Sequence, residues 1–145
     1  MGTLKTTDLP VGSWVRHEGR EGFVASISIS APDYSPLVML MDQGYLFWGN
    51  VPIESLEPIP ITPKILETNG WRESPRGEFY HYLRLDKNRT LYVHASLNGW
   101  CMEIIYDAAG ILRTTHFIPD IVSVHQLQQA LRLAGVDKEI VMPNM

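Results

Sequence analysis

A small all-β unit followed by an α+β unit is the fold class this sequence predicts, and three observations carry the prediction. Ten prolines and eleven glycines in 145 residues require short elements and many turns. The alternating prolines of Glu57-Pro58-Ile59-Pro60-Ile61-Thr62-Pro63 favour an extended, semi-rigid connector and set domain boundaries at 1–60 and 61–145. Before that join the apolar residues follow a two-residue period, and after it similar strands are flanked by helix signatures. A chain 45% apolar and 19% charged is neither a disordered tail nor a fibre. Its single cysteine, Cys101, cannot form an intrachain disulfide.

In the first segment Ser13–His17 reads as a strand and Glu18-Gly19-Arg20 as a turn. Glu21–Ser30 follows as a longer strand, with Phe23, Ala25, Ile27 and Ile29 on one face. Ala31–Pro36 is a loop, and Leu37–Met41 and Tyr45–Trp48 flank the turn Asp42-Gln43-Gly44. A 3₁₀ turn at Pro52–Leu56 precedes a last short strand at Glu57–Pro60. Short strands with that turn before the last are the layout of an SH3-like β-barrel. The stretch Val11-Gly12-Ser13-Trp14-Val15 through Glu21-Gly22-Phe23-Val24 resembles the opening hairpin of such barrels.

The second segment opens with Thr62 as a helix cap, Pro63 at the first helical position and Gly70 past the end. Four strands follow, and their turns set the register. Asn98-Gly99 as a two-residue loop pairs Leu97 with Trp100, Ala95 with Met102, Val93 with Ile104 and Leu91 with Tyr106. The opposite face then pairs Ser96 with Cys101, His94 with Glu103 and Tyr92 with Ile105. Three-residue loops at Ala108-Ala109-Gly110 and Lys87-Asn88-Arg89 pair Tyr106 with Leu112, Met102 with His116, Leu85 with Leu91, His81 with Ala95 and Phe79 with Leu97. Ser123-Val124-His125-Gln126 is a capping box, with a staple of Val122 on Leu127, and Val124, Leu127, Leu131 and Ala134 form the apolar stripe of a helix ended by Gly135. The expected second domain is therefore α-β-β-β-β-α: a four-stranded antiparallel meander with both helices on its apolar face.

The net charge of -4 arises before the join, where three basic residues face seven acidic ones; after it there are nine of each. No basic excess points to nucleic acid. Met1–Pro10 has no apolar h-region, and no apolar run approaches the roughly 18 residues of a membrane span. Met1-Gly2-Thr3-Leu4-Lys5-Thr6 fits an N-myristoylation pattern, and Asn88-Arg89-Thr90 fits a glycosylation acceptor that reads more simply as a turn. The expectation is a soluble cytoplasmic protein.

Glu57-Pro58-Ile59-Pro60-Ile61-Thr62-Pro63-Lys64-Ile65-Leu66-Glu67-Thr68-Asn69-Gly70-Trp71 and Val124-His125-Gln126-Leu127-Gln128-Gln129-Ala130-Leu131-Arg132-Leu133 resemble phrases of a family of small uncharacterised bacterial proteins, often encoded by prophages and other mobile elements. The resemblance implies a bacterial or phage setting in the cytoplasm. It supplies no catalytic residues.

Two surfaces and one trio are candidate sites. The polar sheet face carries Tyr80, Tyr82, Tyr92 and His94, with Arg84, Glu103 and Arg113 around them, and tyrosine with arginine is the composition of interaction hot spots. Trp14, Tyr34, Tyr45, Phe47 and Trp48 could line a barrel pocket for cations or proline-rich peptides; the stronger alternative is that Trp14 and some of the others form the barrel core. Cys101, His94 and Glu103 are the ingredients of a cysteine nucleophile, but a strand interior offers no helix N-terminus to activate the thiol. No two of His17, His81, His94, His116 and His125 stand at metal-ligand spacing on a helix. The first expectation is a non-enzymatic adaptor or inhibitor with a protein partner or a second copy of itself, and no cofactor, metal or membrane. A Cys101-dependent enzyme and a nucleic-acid-binding accessory protein are the alternatives.

Overall fold

A computed structural model describes residues 9–28, 36–43, 46–75 and 77–143, with only the backbone for Trp48, Glu78 and Phe79. The chain is mostly β, with two antiparallel sheets and two helices, and divides into compact units, Met1–Pro60 and Ile61–Met145. The Met1–Thr6 pattern, Ile29, Tyr34, Gly44 and Tyr45 lie outside the described residues.

In the first unit β1 (Trp14–His17), β2 (Arg20–Ser28), β3 (Leu37–Met41) and β4 (Phe47–Pro52) form one sheet in that order. Glu18 and Gly19 close the first hairpin at φ 50° and 76°, the two positive values that a type I′ turn needs. The single face expected for Phe23, Ala25 and Ile27 breaks at a bulge between Val24 and Ser26, because one extra residue inverts the alternation. The core therefore takes Val24 before the bulge and packs Ile27 after it, with Val15, Val38, Leu40, Ile53 and Leu56. β4 continues past Trp48 to Pro52, pairing Val51 with Val38, and the 3₁₀ turn Ile53–Ser55 follows.

The strand expected at Glu57–Pro60 reduces to one bridge, in which Arg16 and Glu57 exchange N–H···O bonds of 2.8 Å. Pro58 and Pro60 hold φ near about −65°, a path that twists away from a β ladder. The sheet does not close, so the expected SH3-like barrel is present only as an open four-stranded sheet.

In the second unit α1 (Pro63–Thr68) begins at Thr62, whose Oγ1 accepts the Ile65 N–H at 3.2 Å. It ends in a Schellman motif: Gly70 stands at φ 95°, and the Trp71 and Gly70 N–H groups donate to Leu66 O and Glu67 O at 3.0 and 3.1 Å. β5 (Arg72–Ser74), β6 (Gly77–Arg84), β7 (Arg89–Ser96), β8 (Gly99–Ala108) and β9 (Ile111–Ile121) then form a five-stranded sheet in chain order, and α2 (Val124–Leu133) closes the element list. The meander thus has one strand more than expected. β5 escaped notice because three residues, two of them charged, show no periodicity.

All three expected hairpin registers shift. The β7–β8 loop is Leu97-Asn98, so Ala95 faces Trp100, Val93 faces Met102 and Leu91 faces Ile104; Leu97, assigned to a pair with Trp100, is fully exposed at 100%. The β6–β7 pairs likewise move by two, putting His81 opposite Val93 and Leu83 opposite Leu91. A shift of two preserves faces, so Leu91, Val93, Met102 and Ile104 remain buried as expected. The β8–β9 loop is Ala109-Gly110, one residue shorter than expected, and near it Tyr106 faces Arg113 instead of Leu112. A bulge between Ile104 and Ile105 then brings His116 opposite Ile104 and Ile118 opposite Met102.

The helices pack where the apolar face needs cover. His81, fully buried on that face, meets Glu67 of α1 at 3.0 Å, while α2 packs on β9 and buries Val124, Leu127, Leu131 and Ala134. The capping box forms displaced: Gln126 Oε1 accepts the Val122 N–H at 2.8 Å, and the Ser123 hydroxyl meets His125 Nδ1 at 3.1 Å. Val122 stays exposed, leaving no buried staple on its side. The tail is pinned by Asn69, whose amide exchanges two 2.8 Å bonds with the backbone of Val141; Ile140 and Met142 are buried beside it.

Candidate functional site

The face of the five-stranded sheet opposite the helices carries Tyr80, Tyr82 and Arg84 from β6, Tyr92 and His94 from β7, and Cys101 and Glu103 from β8. Strand alternation dictates this, since each named residue is two from the next on its own strand. The aromatic rings touch in a chain. Tyr80 stacks on His94 with centroids 4.9 Å apart and planes 11° from parallel, and meets Tyr92 edge-on at 5.6 Å. Tyr82 lies 6.4 Å from Tyr92. Such pairs contribute about 0.5–1.5 kcal/mol each beyond burial, so the three half-buried tyrosines form one preorganised cluster.

Arg113, expected on this face, stands opposite Tyr106 on the other one, because the shorter β8–β9 loop slips that strand by one residue. Two residues were missed. Phe117 pairs with Glu103 on the tyrosine face and is 54% exposed; the expected pairing of His116 with Met102 already implies this face for Phe117, and the bulge restores the parity that the shorter loop shifts. Arg72, on β5, pairs with Tyr82.

The sulfur-bearing trio is rearranged. Cys101 lies directly opposite His94, and Glu103 is the diagonal neighbour, with His94 Nε2 3.8 Å from Glu103 Oε1. That separation is too long for a hydrogen bond, so the carboxylate does not fix the imidazole as a catalytic orienter would. The thiol is mid-strand and its residue only 6% exposed, poorly placed for substrate.

The remaining histidines are dispersed: His17 meets Ser55, His116 meets Thr115 and His125 meets Ser123. Among the described residues no three His, Cys, Asp or Glu side chains gather as a metal site. In the first unit Trp14 is buried and packs edge-to-face on Phe23, with centroids at 5.4 Å, while Phe47 is exposed. Trp14 and Phe47 therefore do not meet in a pocket of the expected kind, and Tyr34, Tyr45 and the Trp48 side chain fall outside the description.

No family model, curated protein or solved structure matches the chain. Among the described residues no helix is long and apolar enough to cross a membrane.

Proposed function

We propose that the protein is a non-enzymatic interaction protein, an adaptor or inhibitor of phage or mobile-element origin, whose tyrosine face engages a protein partner. The observation that carries this reading is the linked cluster of Tyr80, Tyr82, Tyr92 and His94 on a face that neither helix of the described residues covers. A purely solvated face would carry lysine, glutamate and threonine. Tyrosines held rigid by one another lose little entropy on association, which is why they serve as anchors. The resemblance of the Glu57–Trp71 and Val124–Leu133 phrases supports the bacterial, cytoplasmic setting. The first unit fits an SH3-like module: its strand order, its 3₁₀ turn and the return of Glu57 to β1 support that finer assignment.

The double variant Tyr82→Ser/Tyr92→Ser tests the reading. Thermal unfolding should leave the second unit folded, since the apolar core lies on the opposite face. Association, followed by sedimentation for self-association and by binding to the partner captured with the wild-type chain, should weaken by about 1–3 kcal/mol. Collapse of the fold would show the tyrosines to be core, and unchanged association would make them ordinary surface residues.

A further inference from the structure

We propose that the cleft at the β5–β6 edge is a binding site for a small oxyanion ligand, presenting a phosphoryl group or clustered carboxylates. The proposal goes beyond the interaction reading: the cleft shares Tyr82 and Arg84 with the tyrosine face, but a free small ligand needs no protein partner. The cleft measures about 270 Å³ and is lined by Gly70, Arg72, Tyr82, Leu83 and Arg84. It exists because β5 starts only at Arg72, opposite Tyr82; the preceding residues turn away into the Schellman end of α1, leaving β6 uncovered at Leu83 and Arg84.

Two arginines line this opening, and a lysine stands near its glycine. Arg72 stands across from Tyr82, and Arg84 lies two residues further along the same face of β6. Arg84 Nη2 donates to Lys87 O at 3.1 Å, which steadies the guanidinium and leaves its other N–H groups to donate elsewhere. The lysine is Lys138, which is not itself part of the cleft lining. Its Nζ lies 3.7 Å from the place a β-carbon on Gly70 would occupy. The Asn69–Val141 clamp holds the tail segment that delivers this lysine.

No carboxylate offsets them: among the described residues Arg72, Arg84 and Lys138 make no ion pair. Glu67 is held by His81 at 3.0 Å and Asp86 by Arg89 at 2.7 Å, while Glu73, Asp137 and Glu139 are chain neighbours of Arg72 and Lys138 that form no ion pair with them. Two arginines without an ion pair on one small cleft, with a lysine near its glycine, stand out in a chain of net charge -4. Two guanidinium groups give planar, directional donors matched to oxyanions, and the lysine adds a point charge. Tyr82 lines the same cleft and carries a phenolic hydroxyl able to donate to an oxyanion.

The test is an NMR titration of the full chain with inorganic phosphate and, separately, with citrate, each against chloride at matched ionic strength. Saturable shifts at the Gly70, Leu83 and Arg84 amides are expected. Arg72→Ala/Arg84→Ala should weaken binding by about tenfold or more, with the rest of the spectrum unchanged, and Lys138→Ala should weaken it less. Arg113→Ala, on β9, should leave it intact. Binding of phosphate alone names a phosphoryl ligand, citrate alone a polycarboxylate, and both an oxyanion site of broad choice. No shift in either arm, equal shifts with chloride, or equal loss in Arg113→Ala would overturn the proposal.

Discussion

The β7–β8 and β8–β9 hairpins carry similar dipeptides, Asn98-Gly99 and Ala109-Gly110, and use their glycines for opposite purposes. At the second, Ala109 and Gly110 have φ 54° and 81° and form the loop itself, as a type I′ turn requires. A β-carbon on Gly110 would meet nothing within 4 Å. At the first, the loop is Leu97-Asn98 and Gly99 belongs to β8 at φ 142°. A β-carbon there would stand 2.7 Å from Ile121 O and 3.0 Å from Val122 Cγ1. One glycine serves a local dihedral angle; the other makes room for a strand end far along the chain.

The difference reaches the candidate site. A two-residue shift at β7–β8 left Tyr92, His94, Cys101 and Glu103 on the face the sequence predicts, changing only which of them are opposite. A one-residue change at β8–β9 moved Arg113 off that face, and the bulge beyond it restored the expected parity, so Phe117 stays on it. Parity, not distance, decides what a register error does to a surface.

Gly99→Ala is the most direct way to break the comparison. It adds a clash with backbone to an unfavourable φ, and should destabilise the second unit by about 2–4 kcal/mol in chemical denaturation. A wild-type midpoint would mean that β8 and the end of β9 do not approach so closely. Gly110→Ala meets only the left-handed dihedral cost and should lose about 1 kcal/mol; a loss matching that of Gly99→Ala would erase the distinction.

The third hairpin sharpens the comparison through charge, since the β6–β7 turn is organised by a side chain. The Asn88 N–H, and then the Arg89 side chain, hold the Asp86 carboxyl below its usual range against the opposing effect of desolvation. Because its folded value is the lower one, the stabilisation is full above the unfolded carboxylate's value and fades as pH falls through the folded value. Hydrogen exchange at Asn88 and Arg89, whose N–H groups both reach Asp86 Oδ1 at 2.9 Å, should accelerate relative to neighbouring turns as the solution is acidified through that range. Protection that tracks the neighbours would show the carboxylate to be incidental.

The sequence by itself determined whatever depends on neighbours in the chain. Thr62, Pro63 and Gly70 bound α1, Gly135 ends α2, and alternation assigns Leu91, Val93, Met102 and Ile104 to the core and the tyrosines to the other face. These follow from backbone dihedrals and a two-residue period, which any short window contains. Only the tertiary structure decided the bulges in β2 and β9, the single Arg16–Glu57 rung where a closed barrel was expected, and the purpose of Gly99. It alone brought Lys138 to Gly70, through the hold of Asn69 on Val141. Each of these depends on atoms distant in the chain competing for the same space or hydrogen bond, and such competition leaves no mark on local composition or spacing.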